Sequence, residues 1–264
     1  MTTLAFALAA VIGLSLGLLG GGGSILTVPV FVYVLGFAAK PAIAMSLPVV
    51  GVTSLLGAAF HWRLGNVRVR TALTFGLVAM IGAFGGAKIS VFVTGAAQLL
   101  LLAFVMLAAA ISMLRSRRDE EAEAATARPP RLILLVSVAL AVGVLTGLVG
   151  IGGGFLVVPA LVVLARVPMR QAIGTSLLVI AMNATSGFAG YLGTVDFDWR
   201  FLAGFTLVSV VGALAGTALV ARVPQMALKR AFAILLILMS GFVLYNNRNA
   251  FDTTAVHSIP THRG

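Results

Sequence analysis

The chain has no cysteine and little charge of either sign: 9% of its 264 residues are charged, with 7 Asp and Glu against 18 Lys and Arg, and there are 3 histidines. Without cysteine there is no disulfide, and no thiolate for metal or redox chemistry. The carboxylates stand in polar segments: Asp119, Glu120, Glu121 and Glu123 together, Asp196 and Asp198 in one loop, and Asp252 near the end. None lies within an apolar run, which argues against coupling through a buried carboxylate. "GLSLG" at 13–17 spells a nucleophile elbow, but no strand precedes it and no histidine or carboxylate is placed to complete a triad. The chain is therefore read as no enzyme, with neither metal nor cofactor.

What is present is apolar. Hydrophobic residues make up 60% of the chain, more than a soluble domain can cover. Apolar runs fill 4–37, 41–60, 71–93, 97–114, 132–165, 171–193, 201–221 and 231–245. Their lengths suit tilted membrane-spanning helices, and the two longest exceed one span and contain glycine breaks. The formal charge of +11 comes from Lys and Arg in short loops, a pattern that sets membrane topology and gives no nucleic-acid face. The start of the chain lacks the basic residues of a signal peptide and is taken as part of the fold.

Sliding the chain on itself by 130 residues aligns "GLLGGGGSILTVPV" (17–30) with "GLVGIGGGFLVVPA" (147–160), and 25 of the 81 positions from Gly13 to Val93 match without a gap. Two homologous halves follow, as in repeat-built transporters. The predicted organisation is a membrane repeat at 1–114, a polar cytoplasmic linker at 115–131, a second membrane repeat at 132–245 and a polar tail at 246–264. Each half holds five apolar segments. An odd number sends the second half into the membrane from the opposite side, so the predicted fold class is an all-α integral membrane protein of two inverted five-segment repeats. Each repeat is a glycine-broken helical hairpin followed by three spanning helices. A cytoplasmic linker collects thirteen basic residues on its side and leaves Lys40, Arg200, Arg248 and Arg263 on the other, with both termini outside.

Four consecutive glycines stop a helix, and a stop in lipid needs shelter for its unpaired backbone groups. The two breaks, Gly20–Ser24 and Gly150–Gly154, are expected to face each other near the midplane and to bind an anion through the N–H groups of Gly21, Gly22, Gly23, Ser24, Gly152, Gly153 and Gly154. Ser46 and Ser176 are repeat equivalents, as are Met45 and Thr175, and Thr53 and Asn183. Ser46, Thr53, Thr175, Ser176 and Asn183 are candidate side-chain ligands, although a hydrogen bond to a neighbouring helix would also account for such residues. Lys88 is a candidate charge on the anion path, with snorkelling to the interface as the plainer use. Gly13/Gly17, Gly82/Gly86, Gly143/Gly147 and Gly212/Gly216 have the small-xxx-small spacing of tight helix crossings. His61 and Trp62 are expected at the cytoplasmic boundary.

"GLLGGGGSILTVPVF" followed by "AIAMSLPVVGVTSLLGAAFHWRLGNV", and "GLVGIGGGFLVVPALV" followed by "AIGTSLLVIAMNATSGFAGYLG", resemble the sulfite exporter TauE/SafE family over about 8–245. The first half departs from the pattern in carrying "MSL" where "TSL" is usual, which makes the site less polar at Met45. The resemblance implies a bacterial inner-membrane permease moving a small anion, sulfite or an organosulfonate such as sulfoacetate, usually outward. Its partners would be that anion and membrane lipid, with no nucleic acid; a homodimer is left open. An anion channel and a nontransporting membrane scaffold are the alternatives.

Overall fold

The computed structural model describes residues 2–115, 132–149, 154–164, 167–193, 195 and 198–247. Helices and their connections make up all of it. In the first half these are α1 (Thr2–Leu19), α2 (Gly22–Pro29), α3 (Ala39–Arg63), α4 (Val69–Ile89) and α5 (Gly95–Arg115). In the second they are α6 (Leu132–Val149), α7 (Gly154–Pro159), α8 (Met169–Tyr191), α9 (Trp199–Val220) and α10 (Gln225–Asn246). Six of them, α3, α4, α5, α8, α9 and α10, are long and apolar enough to cross a membrane, and the protein is a multi-pass membrane protein. Apart from Arg115, Asn246 and Asn247, the predicted linker and polar tail lie outside the described residues.

The duplication is visible in the local geometry. Proline has no N–H and crowds the carbonyl four residues back, so a helix cannot run through it unaltered. Pro29 ends α2 and Pro159 ends α7, and each is followed by one wide π-helical stretch, Val30–Val34 and Ala160–Leu164. The stretches close alike: the N–H of Phe37 donates to the Phe31 carbonyl at 2.9 Å, and that of Val167 to the Leu161 carbonyl at 3.0 Å. The first hairpin then ends in an aromatic cluster, Phe31 lying 5.0 Å from Phe205 and 5.9 Å from Phe37 between ring centroids.

The halves interlock. α1 packs on α9, and α6 packs on α4. The four glycine pairs make these crossings, as their spacing predicts. A Cβ placed on Gly13 would lie 1.8 Å from the Ser209 carbonyl oxygen, and one on Gly143 would lie 2.0 Å from that of Ala79. Gly17 stands in the same way 2.0 Å from the Ala213 oxygen, and Gly147 1.8 Å from the Ala83 oxygen. Both members of each contact shift by 130 residues, so the repeat is kept contact by contact. The rising pairs, 13 with 209 and 17 with 213, make α1 parallel to α9, and 143 with 79 and 147 with 83 make α6 parallel to α4.

At the centre α3 crosses its own repeat equivalent, α8. Gly51 meets Ala184, Gly57 meets Leu177 and Gly187 meets Leu47, at 3.3, 3.3 and 3.5 Å from the added Cβ. The partner number falls as the α3 number rises, so these helices are antiparallel. The equivalent positions Thr53 and Asn183 stand within about a residue of the point where the two helices mirror each other.

Candidate functional site

The first glycine break is sheltered, as a helix stop in lipid requires, and Gly20 through Ser24 are all buried. Gly20 ends α1 with φ +68°, left-handed backbone that glycine adopts without strain. It sits flat on α8: a Cβ there would be 2.8 Å from Ser176 Oγ and 3.1 Å from Ile173 Cα. Gly22 lies against Leu19 and Leu235, and Gly23 is pressed so tightly on α1 that a Cβ would come within 2.3 Å of the Ile12 carbonyl oxygen. Ser24 Oγ donates to the Gly21 carbonyl at 2.6 Å. Packing therefore accounts for Gly20, Gly22 and Gly23, and Ser24 is turned onto its own helix start.

The last carbonyls of α1 and α6 have no partner within their helices. His61 Nε2 lies 3.1 Å from the Gly17 carbonyl oxygen, and the Tyr191 hydroxyl donates to that of Gly147 at 3.1 Å. His61 and Tyr191 are 130 residues apart, as are Gly17 and Gly147, so one latch is built twice from different side chains. Gln98 Nε2 adds a bond of 2.9 Å to the Leu148 carbonyl. His61 is fully buried while its neighbour Trp62 is 62% exposed, so only the Trp stands at the surface as an interfacial residue would.

The expectation that the two breaks face each other near the midplane falls on the second break, whose residues 150–153, Gly152 and Gly153 among them, lie outside the described residues; Gly154 begins α7, and the ends of α1 and α6 are placed. The first break rests on Ile173 in α8, and the end of α6 is bonded to Tyr191 in α8. These two α8 residues are eighteen positions apart, about 27 Å along a helix. The end of α1 and the end of α6 therefore lie towards opposite ends of α8. It is α2 and α7 that touch in between.

The side-chain candidates separate in the same way. Ser46 Oγ donates to the Ile43 carbonyl at 2.7 Å and Ser176 Oγ to the Ile173 carbonyl at 2.8 Å, one towards each end of the central pair. Thr175 Oγ1 accepts the Arg68 N–H at 2.9 Å and so holds the loop after α3. Lys88 is exposed, its ammonium 5.6 Å from the Phe84 ring centroid, and the structure does not bring it to the others. Thr53 and Asn183 remain at the crossing. Both are buried, at 1% and 0% exposure, and Thr53 Oγ1 and both amide atoms of Asn183 lack a hydrogen-bond partner.

Two residues of the same layer escape a reading of the sequence. Ser54 and Ser209 are fully buried, and their hydroxyls also lack a partner. Ser54 is on the stripe of α3 that holds Leu47, Gly51 and Ala58 and faces α8. Ile12, Val49 and Phe205 share one apolar cluster, and Thr53 and Ser209 each stand one turn beyond it. Sequence offers no signal here, because a serine in an apolar helix ordinarily bonds its own backbone. The layer is uncharged: the charged residues of α1, α3, α8 and α9 are Lys40, Arg63, Arg170 and Arg200, each in the first or last two positions of its helix. Among the described residues no group of three or more His, Cys, Asp or Glu is placed to hold a metal.

Comparison with known proteins agrees over nearly the whole chain. A family model described as "Sulfite exporter TauE/SafE" matches residues 5–243. A "probable membrane transporter protein" of Xylella fastidiosa is 35% identical, covering 89% of this chain and 92% of that relative. The "probable membrane transporter protein YdhB" of Bacillus subtilis is 27% identical over 83% of this chain and 91% of its own length. A similarly named protein of Methanocaldococcus jannaschii is 25% identical over 76% and 77%. No solved structure matches.

Proposed function

The chain belongs to the sulfite exporter TauE/SafE family of membrane transporters, and from that premise we propose that it carries a small anion, sulfite or an organosulfonate, across the bacterial inner membrane by alternating access. The observation that carries the reading is the pair Thr53 and Asn183. Leaving a buried amide and hydroxyl unpaired in an apolar bundle costs free energy, and a polar solute lodged at the crossing supplies the missing partners. Transporters built of repeats place their solutes where the repeats meet.

An inverted arrangement of the halves is supported by helix direction. If the helices alternate through the membrane, parallel packing of α1 on α9 and antiparallel packing of α3 on α8 both require the second half to enter from the opposite side. The basic residues then favour a cytoplasmic linker and both termini outside, and export as the working direction follows from the family. Backbone N–H groups of Gly21–Ser24, with Ser46, Thr175 and Ser176, belong in this reading to the ends of the path, and Thr53 and Asn183 to its centre; those of Gly152–Gly154 remain proposed anion ligands.

The test is flux of sulfite, sulfoacetate, taurine, sulfate and lactate in proteoliposomes. Saturable flux of sulfite or a sulfonate with counterflow is expected, and Asn183→Leu should lower it about 30-fold or more, in line with the loss of a charge-assisted hydrogen bond in a buried site. Flux of none of these anions, or wild-type flux in Asn183→Leu, would overturn the reading.

A further inference from the structure

We propose that Ser54 and Ser209 are ligands of the transported solute, and that with Thr53 and Asn183 they form a charge-free donor cluster selecting a singly charged, three-oxygen head group. The inference rests on the anion-carrier reading and names the residues that make its site.

The first ground is how hydroxyls behave elsewhere in this molecule. Ser24, Ser46, Ser90, Thr146, Ser176 and Thr217 are all buried, and each donates to the carbonyl three or four residues earlier at 2.6–2.9 Å. That bond is available to almost any helical serine or threonine. Thr53, Ser54 and Ser209 are equally buried in helices and do not make it. Their rotamers give up an internal bond, and the three fall in one layer.

The second ground is position. Ser54 is on the stripe of α3 that meets α8, and Asn183 stands next to Ala184, which meets Gly51. α9 runs parallel to α1, which passes α3 from Ile12, in the cluster with Val49, to Gly17 at His61. α9 therefore also runs parallel to α3, and one turn beyond Val49 and Phe205 brings Thr53 and Ser209 to the same level. None of the four bonds another, so the partner they lack comes from outside the protein.

The third ground is chemistry. Three hydroxyls and one amide offer five donor hydrogens. A head group with three oxygens uses that many donors; a carboxylate with two oxygens leaves donors unpaired, and a buried polar group left unpaired is what discriminates between ligands. The layer holds no cation. The cost of burying an ion grows with the square of its charge, so a site without a counter-charge admits a monoanion and rejects a dianion.

The experiment measures concentration-dependent uptake of methanesulfonate into proteoliposomes, with acetate and sulfate as competitors. Wild type should saturate with methanesulfonate and be inhibited at least tenfold more weakly by acetate and by sulfate. Ser54→Ala and Ser209→Ala should each raise the half-saturation concentration about tenfold with maximal rate within twofold. Their melting temperatures should stay level or rise, because no protein hydrogen bond is lost. Unchanged half-saturation in both variants, a fall in melting temperature that accompanies the fall in flux, or equal inhibition by sulfate would overturn the assignment. A wild type that carries neither methanesulfonate nor sulfite would instead bring down the anion-carrier reading, whereas sulfite flux that both variants preserve overturns only the ligands named here.

Discussion

The two halves differ least where backbones touch and most where polar side chains face inward. Gly13, Gly17, Gly82 and Gly86 recur as Gly143, Gly147, Gly212 and Gly216, and their contacts recur with them. His61 answers to Tyr191, Met45 to Thr175, Thr53 to Asn183, Ser54 to Ala184 and Ser209 to Ala79. A close backbone crossing tolerates one residue type, since any Cβ would collide with a carbonyl that no rotamer can move. An interior polar position has no such restriction, so duplication preserved a symmetric frame and left its lining free to diverge.

The largest effect should come from attacking the frame. Gly17→Leu and Gly147→Leu each place a Cβ about 2 Å from a carbonyl oxygen, and helix separation is the only relief. Overpacking of this kind costs about 3 kcal/mol or more, a large share of the roughly 5–15 kcal/mol that holds a protein folded. Both variants should lose the monodisperse peak in size-exclusion chromatography to the same extent. Loss in only one of them would break the equivalence of the α1/α9 and α6/α4 crossings.

A smaller effect tests the latches, where equivalent positions carry different residues. His61→Phe deletes the bond to the Gly17 carbonyl and Tyr191→Phe the bonds to the Gly147 and Leu148 carbonyls, at 3.1 and 3.5 Å, about 1–2 kcal/mol in each case. Melting temperature should fall about 2–6 °C in either case. Tyr191→Phe should fall less, because Gln98 still bonds the neighbouring Leu148 carbonyl and the first break has no counterpart of Gln98, whose repeat equivalent is Leu228. Equal shifts would show that the second bond adds nothing.

The frame was legible in the sequence and the lining was not. Spacing of Gly13, Gly17 and their equivalents foretells the crossings because close approach restricts composition. Where α1 and α6 end was not legible because hairpin length says only how far a helix reaches. What fixes those ends is the contact of Gly20 with Ile173 and the bond from Tyr191 to the Gly147 carbonyl, both long-range. Ser54 and Ser209 were missed because a sequence does not record whether a hydroxyl bonds its own carbonyl.

The smallest effect concerns Met45 against Thr175. Thr175 Oγ1 accepts the Arg68 N–H while Arg68 Nε donates to Gln171 Oε1 at 2.7 Å, so two bonds fasten the α3–α4 loop to the first turns of α8. Met45, at the equivalent place in α3, has no oxygen to accept such a bond. Thr175→Met therefore makes the halves alike at this position and removes one bond, about 1 kcal/mol, with little effect on overall stability. Because the chain has no cysteine, Leu64→Cys gives a single reporter at an exposed loop position. Its modification rate by a membrane-impermeant thiol reagent should rise about threefold to fivefold when Thr175→Met is added, the Boltzmann factor for the lost bond. An unchanged rate would mean that the loop is held by the Arg68 side chain and the packing of Asn66 on Gly174, and that the two ends of the helix bundle differ less in how they are fastened than in their sequence.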